Sequence, residues 1–187
     1  MNAPSVEPKR LSREAIEDRT QAILREHGLT SVPIDPVVLA AKTGIRVNNA
    51  VFAKEGISGM IAKRGTEVTL LVNQNDHPYR KRFTIAHELG HHFLHLGEDG
   101  EFVDPAANLF RGDEEGPRPH EWQANQFAAA LLMPRDLVAE EIARDRSLTL
   151  EELAARFRVS ESAMGIRLDV LGLELPVEAD AKEALGT

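Results

Sequence analysis

The chain has no cysteine, which excludes disulfides and thiolate metal ligands. No apolar run approaches the roughly 20 residues needed to span a bilayer, so no membrane partner is expected. An excess of positive charge is also missing, since 30 acidic residues against 22 Lys and Arg give a formal charge of −8. Gripping a phosphate backbone normally calls for a basic surface, so direct DNA binding is not expected to be the main business of this chain. An apolar leader is lacking as well: Met1 to Arg10 is polar and proline-bearing, so no secretory signal is expected and the expected location is cytoplasmic. What is present is ordinary globular composition. At 187 residues, 42% hydrophobic and 28% charged, the chain suits one domain of typical size with a small appendage.

Helix start and stop signals divide the chain. Ser12 opens an amphipathic segment running to about His27, with Gly28 as its stop. Asp35-Pro36 reads as an N-cap followed by proline at the first helical position, and Gly44 ends that helix near Lys42. The period then changes. Residues 45–52, 59–63 and 67–73 are short and rich in β-branched and apolar side chains, separated by Gly56, Gly59 and Gly65, and read as three antiparallel strands. A helix capped by Asp76 follows, and residues 97–119 read as a long polar loop. A further helix spans His120 to Leu132, another 134–145, and a capping box at Thr149 and Glu152 opens the next. After Arg158-Val159-Ser160 a last helix runs to Leu171 and is closed by Gly172. The expected fold class is α+β, mainly helical, with a small three-stranded antiparallel sheet. Its expected divisions are a flexible N-terminus at 1–11, a core at 12–134, a C-terminal helical segment at 135–173 and an acidic tail at 174–187.

The most informative residues are His87-Glu88-Leu89-Gly90-His91. On a helix, positions i and i+4 lie on one face, so both imidazoles can reach one metal ion at the ~2.0–2.1 Å zinc–nitrogen distance. Glu88 is placed to take a proton from water activated there, which is the metallopeptidase reading of H-E-x-x-H. Apolar residues at Phe83, Ala86, Gly90, Phe93 and Leu94 supply the core-facing stripe such a helix needs.

A catalytic zinc normally has three protein ligands, so a third donor is required. His95 continues the i+4 series but lies two turns from His87, some 12 Å along the axis, too far for one ion. His95 and His92 are therefore read as packing, solvent-facing or hydrogen-bonding neighbours. The helix after the long loop offers Glu121 as the better candidate, with His120 as its rival; a glutamate there is also what a helix start favours for its dipole. Asn125, at i+4 from Glu121, is placed to hydrogen-bond the outer nitrogen of a ligating histidine. For a tetrahedral oxyanion the candidates are Tyr79, His120, Arg111 and Arg82, Arg82 being equally suited to a structural ion pair. The strand near Gly56 to Ala62 is a candidate edge for pairing with an extended substrate.

The run Arg82-Phe83-Thr84-Ile85-Ala86-His87-Glu88-Leu89-Gly90-His91, then Glu121-x-x-Ala124-Asn125-x-Phe127-Ala128 and Leu131-Leu132-Met133-Pro134, resembles the ImmA/IrrE family of bacterial metallopeptidases. The resemblance extends to Pro33-x-Asp35, Thr43-Gly44-Ile45, Ile57-Ser58-Gly59-Met60, Val72-Asn73 and the stretch from Val159-Ser160 through Arg167-Leu168 to Leu171-Gly172-Leu173, covering residues 13 to 173. It implies a zincin-like, gluzincin-type core, a Zn2+ cofactor held by His87, His91 and Glu121, and Glu88 as the catalytic residue. It also implies a substrate class: a helix-turn-helix repressor whose cleavage or inactivation switches on stress or mobile-element genes.

Two alternatives stand beside this reading. Residues 150–171 have helix-turn-helix length, which allows a DNA-binding regulator, although the second helix carries only Arg167 among basic residues, opposed by Glu161 and Asp169. The other alternative is a zinc-bearing protein that sequesters its partner without cutting it, as in a toxin–antitoxin-like pair.

Overall fold

Capping chemistry sets the helix boundaries in the computed structural model, which describes residues 11–95, 100–105 and 119–176. The expectations for residues 1–10 and 177–187 lie outside the described residues. Helix α1 (Arg13–Glu26) begins where the Ser12 side chain accepts from the Ala15 amide, and the chain turns away at Gly28, whose φ of +66° favours glycine. Helix α2 (Pro36–Lys42) is capped by Asp35, which accepts the Val37 amide at 2.9 Å. Strands β1 (Arg46–Ala50), β2 (Ile57–Arg64) and β3 (Glu67–Asn73) follow, in the places their composition indicated. Helix α3 (Pro78–Leu94) starts one residue later than expected. Its cap is His77, whose Nδ1 accepts the Tyr79 amide, and not Asp76, because Pro78 takes the first helical position.

The sheet differs from the expectation in two ways. A fourth strand, β4 (Gly100–Pro105), forms inside the segment read as loop, and the order is β1-β3-β2-β4. Strand β1 also runs parallel to β3, while β2 pairs antiparallel with both β3 and β4. The tight turn at Gly65, with φ of +58°, fixes β2 and β3 as a hairpin. Strand β1 then joins the edge of β3 that β2 leaves open. Because β2 carries partners on both sides, it is not the edge strand; among the described residues the edges are β1 and β4.

Helix α4 (Pro119–Leu132) packs against α3, and α1 packs against α4 in turn. Helices α5 (Arg135–Arg144), α6 (Leu150–Phe157) and α7 (Glu161–Leu171) complete the described chain, α6 opening with the expected Thr149–Glu152 capping box. Alternation along β3 buries Val68, Leu70 and Val72, and α3 covers β2 and β3. Phe83, Ala86 and Leu89 of α3, Phe127 and Leu131 of α4, and Ile16 of α1 share one core.

Two glycines let α3 sit this close to its neighbours. A Cβ on Gly90 would stand 3.0 Å from the Ala124 Cα and 3.1 Å from its carbonyl oxygen, so α3 and α4 meet nearly backbone to backbone. A Cβ on Gly59 of β2 would stand 2.4 Å from Thr84 Cγ2 and 3.0 Å from Glu88 Oε1. Helix α3 is thus held against a strand on one side and a helix on the other.

The C-terminal helices are tied to the first. Arg167, only 2% exposed, pairs through both terminal nitrogens with the Glu17 carboxylate and donates from Nε to the Met133 carbonyl at 2.9 Å. A guanidinium buried in this way has no face left for a phosphate. That removes the one basic side chain on which a DNA-reading role for α7 rested.

Candidate metal centre

His87, Glu88 and His91 lie on the buried stretch of α3, each at most 1% exposed. The i, i+4 spacing brings the two imidazole Nε2 atoms to 3.0 Å, with the rings nearly perpendicular at 81°. The close α3–α4 contact at Gly90 brings in Glu121 from the first turn of α4. Its Oε2 lies 3.4 Å from His87 Nε2 and its Oε1 lies 3.5 Å from His91 Nε2. All three donor groups fall within 4.8 Å of one another, and among the described residues this trio contains Glu121 and not His120.

These separations fit a zinc ion. Three donors each ~2.0–2.1 Å from one tetrahedral ion stand about 3.3 Å apart, and the observed spacings of 3.0, 3.4 and 3.5 Å bracket that value. The donor chemistry agrees, with two imidazoles and one carboxylate leaving a fourth position for water or substrate.

The outer nitrogens are held too. His87 Nδ1–H donates to Asn125 Oδ1 at 2.8 Å, the partnership expected from spacing. An amide oxygen can only accept, so this contact takes the proton on His87 Nδ1, and Nε2 is the nitrogen that faces the other donors. On the other histidine, His91 Nδ1 meets His95 Nδ1 at 3.2 Å. Burial above all, then the neighbouring His87, His95 and His120, pushes the His91 imidazolium down to about 2, so the ring is neutral and able to donate a lone pair. Burial and then His120 pull His95 down to about 4, against a hydrogen bond with Gln123 and the charge of Glu121.

The sheet holds Glu88 differently. Its fully buried carboxylate lies over Gly59 of β2, with Thr84 one helical turn before it. That contact depends on a glycine at position 59, and apolar patterning does not reveal it. The contact of His95 with His91 was legible in principle, because the i, i+4 rule that pairs His87 with His91 pairs His91 with His95 again.

The oxyanion candidates separate. Arg82 is occupied elsewhere: it donates to the Ile34 carbonyl at 2.7 Å and to the Arg158 carbonyl at 3.3 Å, tying the start of α2 and the α6–α7 turn to α3. Tyr79 stands in the first turn of α3 against His77, roughly 12 Å before His87 along the helix axis. His120 is at the site, its ring centroid 4.5 Å from that of His95. Arg111 lies outside the described residues. His92 is half-buried; burial and then Lys63 lower its pKa, and it takes no part in the donor trio.

Two imidazoles one helical turn apart and a carboxylate delivered from a second helix are the donor set of a zinc metallopeptidase. A sequence profile for the IrrE N-terminal-like domain matches residues 40–169, and the chain belongs to this ImmA/IrrE family. It is 38% identical over 96 residues to the radiation response metalloprotease IrrE of Deinococcus radiodurans, covering 50% of this chain and 28% of that protein. The radiation response metalloprotease IrrE of Deinococcus deserti is 37% identical over 99 residues, or 50% of this chain and 33% of that one. The metallopeptidase ImmA of Bacillus subtilis is 24% identical over 159 residues, covering 85% of this chain and 87% of the relative. The chain therefore spans a third or less of the length of the two IrrE proteins. Among the described residues no helix is long and apolar enough to cross a membrane.

Proposed function

We propose that this chain is a cytoplasmic zinc-dependent endopeptidase that cleaves, and so inactivates, a helix-turn-helix transcriptional repressor, releasing stress or mobile-element genes. The carrying observation is the convergence of His87, His91 and Glu121 on one point, with Glu88 buried between the two histidines. In this reading His87, His91 and Glu121 hold the metal, and Asn125 orients His87. When bound, zinc supplies Lewis acidity, polarising a carbonyl and lowering the pKa of water from 15.7 to ≈7. Glu88 accepts the proton and returns it to the leaving amine, a role worth roughly 10²–10⁴-fold in rate. Burial keeps its carboxylate from bulk water, and Gly59 and Thr84 fix where it points. On the same basis we assign the core to the gluzincin type and α6–α7 to a helix-turn-helix-like pair that packs rather than reads DNA. The relatives' names support a metallopeptidase, and the radiation response named for the IrrE proteins supports a regulatory setting. The repressor is our inference from family likeness.

The test is incubation with the repressor encoded beside this chain, with and without a chelator, followed by intact-mass measurement. A fragment pair that vanishes with chelator is the expected result. Glu88→Gln should retain zinc and partner while losing cleavage by at least ~10²-fold. Target genes that stay switched on with that variant would favour sequestration and overturn the peptidase reading.

A further inference from the structure

Both histidines of the donor trio need their outer nitrogens held, and the structure supplies two different holders. For His87 it is Asn125, an amide from α4. For His91 it is another imidazole. With Nε2 of His91 turned toward His87 Nε2 at 3.0 Å and Glu121 Oε1 at 3.5 Å, its Nδ1 points the other way and meets His95 Nδ1 at 3.2 Å. We propose that His95 is the positioning residue of this centre, accepting the His91 Nδ1 proton and thereby fixing the tautomer and angle at which His91 presents Nε2. The inference rests on the metallopeptidase reading above.

Metal binding by His91 Nε2 selects one proton arrangement for this contact. If Nε2 of His91 is to offer a lone pair to a metal, its proton must sit on Nδ1, and that N–H needs an acceptor once buried. His95 Nδ1 is in hydrogen-bond reach and must be bare to accept, which leaves the His95 proton on Nε2. The contact is also constrained from the main chain. His95 caps the C-terminal end of α3, its own amide donating to the His91 carbonyl at 2.9 Å, so the two rings are held one turn apart with centroids at 5.4 Å. The ring of His120 at 4.5 Å backs His95 from α4. His95 thus acts on the metal through His91 without reaching it.

The test is zinc affinity, read by competition against a chelator of known strength, together with the visible spectrum of the cobalt-substituted protein. Four forms are compared: wild type, His95→Ala, His95→Phe and His95→Asn. Loss of an orienting partner typically weakens metal binding 10–100-fold, so His95→Ala and His95→Phe should both fall in that range and shift the cobalt bands. Phenylalanine fills the space without accepting a proton, which separates hydrogen bonding from packing. Asparagine places an acceptor oxygen where His95 carries Nδ1 and should recover most of the affinity. Thermal melting of the apo-proteins checks that each variant is folded. Affinity within twofold of wild type for folded His95→Phe, or no recovery with folded His95→Asn, would overturn the proposal. A wild-type protein that itself takes up no zinc would instead overturn the reading of the centre on which it rests.

Discussion

Gly59→Ala asks the most of the structure, because it separates the strand–helix contact from the metal. The added methyl would stand 2.4 Å from Thr84 Cγ2, 3.3 Å from Glu88 Cγ and 3.0 Å from Glu88 Oε1, against an optimum of about 3.5–4.0 Å between carbons. Gly59 is not among the glycines with positive φ, so the backbone accepts alanine and the cost is steric. Overpacking of this kind costs about 1–3 kcal/mol, and in a domain of this size each kcal/mol lowers Tm by roughly 2–4 °C. The variant should therefore melt about 2–12 °C lower. Displacing the Glu88 carboxylate by up to an ångström should slow cleavage by as much as ~10²-fold. Zinc affinity should stay within a fewfold of wild type, since none of the three donors is touched. Adding Thr84→Ser removes the worst clash but leaves the one with Glu88. The double variant should regain most of its stability and little of its cleavage. Melting, chelator competition and the mass assay of fragments read the three quantities. If Gly59→Ala melts and cleaves as wild type does, the packing of β2 on α3 is wrong as described. If the double variant recovers full activity, Glu88 does not depend on Gly59.

Gly90→Ala should behave differently, because its methyl meets backbone atoms of Ala124 that cannot swing aside; forcing α3 from α4 should lower stability by about 1–3 kcal/mol and weaken zinc binding with it, measured by the same competition. Chelation of the wild type should lower Tm, since a ligand at a thousand times its Kd contributes about 4.1 kcal/mol, or roughly 8–16 °C at this chain length; a calorimetric scan unchanged by chelator would refute a zinc-linked fold. Arg167→Ala leaves the Glu17 carboxylate buried without its cation and should cost about 3–5 kcal/mol in urea titration, whereas Arg167→Met combined with Glu17→Leu should cost less than the single change.

The helices were legible because their ends are chemical. Ser12, Asp35, Thr149 with Glu152, and Gly172 each act at short range, and each stops or starts a helix where side-chain chemistry alone places it. The start of α3 was misjudged by a residue because both Asp76 and His77 can accept an amide proton. Strand direction was not legible. A period of two says which side chains face the core, not which neighbour a strand takes, so the parallel pairing of β1 with β3 emerges only once the β2–β3 hairpin has closed. Strand β4, with the sequence Gly-Glu-Phe-Val-Asp-Pro, has weak strand propensity and owes its place to the open edge of β2. At the metal centre, spacing within one helix brought out the pairs His87 with His91 and Glu121 with Asn125, while the family resemblance put Glu121 further ahead of His120. What holds Glu88 was hidden, because it depends on how near another element can approach.

The pairing of Arg167 with Glu17 bears on where this protein can be cut. The profile match begins at residue 40, so it omits α1 altogether. Yet α1 supplies the counter-ion for a cation at the heart of α7, a side chain (Arg13) that reaches Gln126 on α4, and another (Arg19) that donates to the Phe93 carbonyl at the end of α3. A version trimmed to the profile-matched stretch would keep every donor of the centre while taking the Glu17 carboxylate away from the buried Arg167. A piece that keeps this pair has to include α1, which lies ahead of the stretch the profile matches.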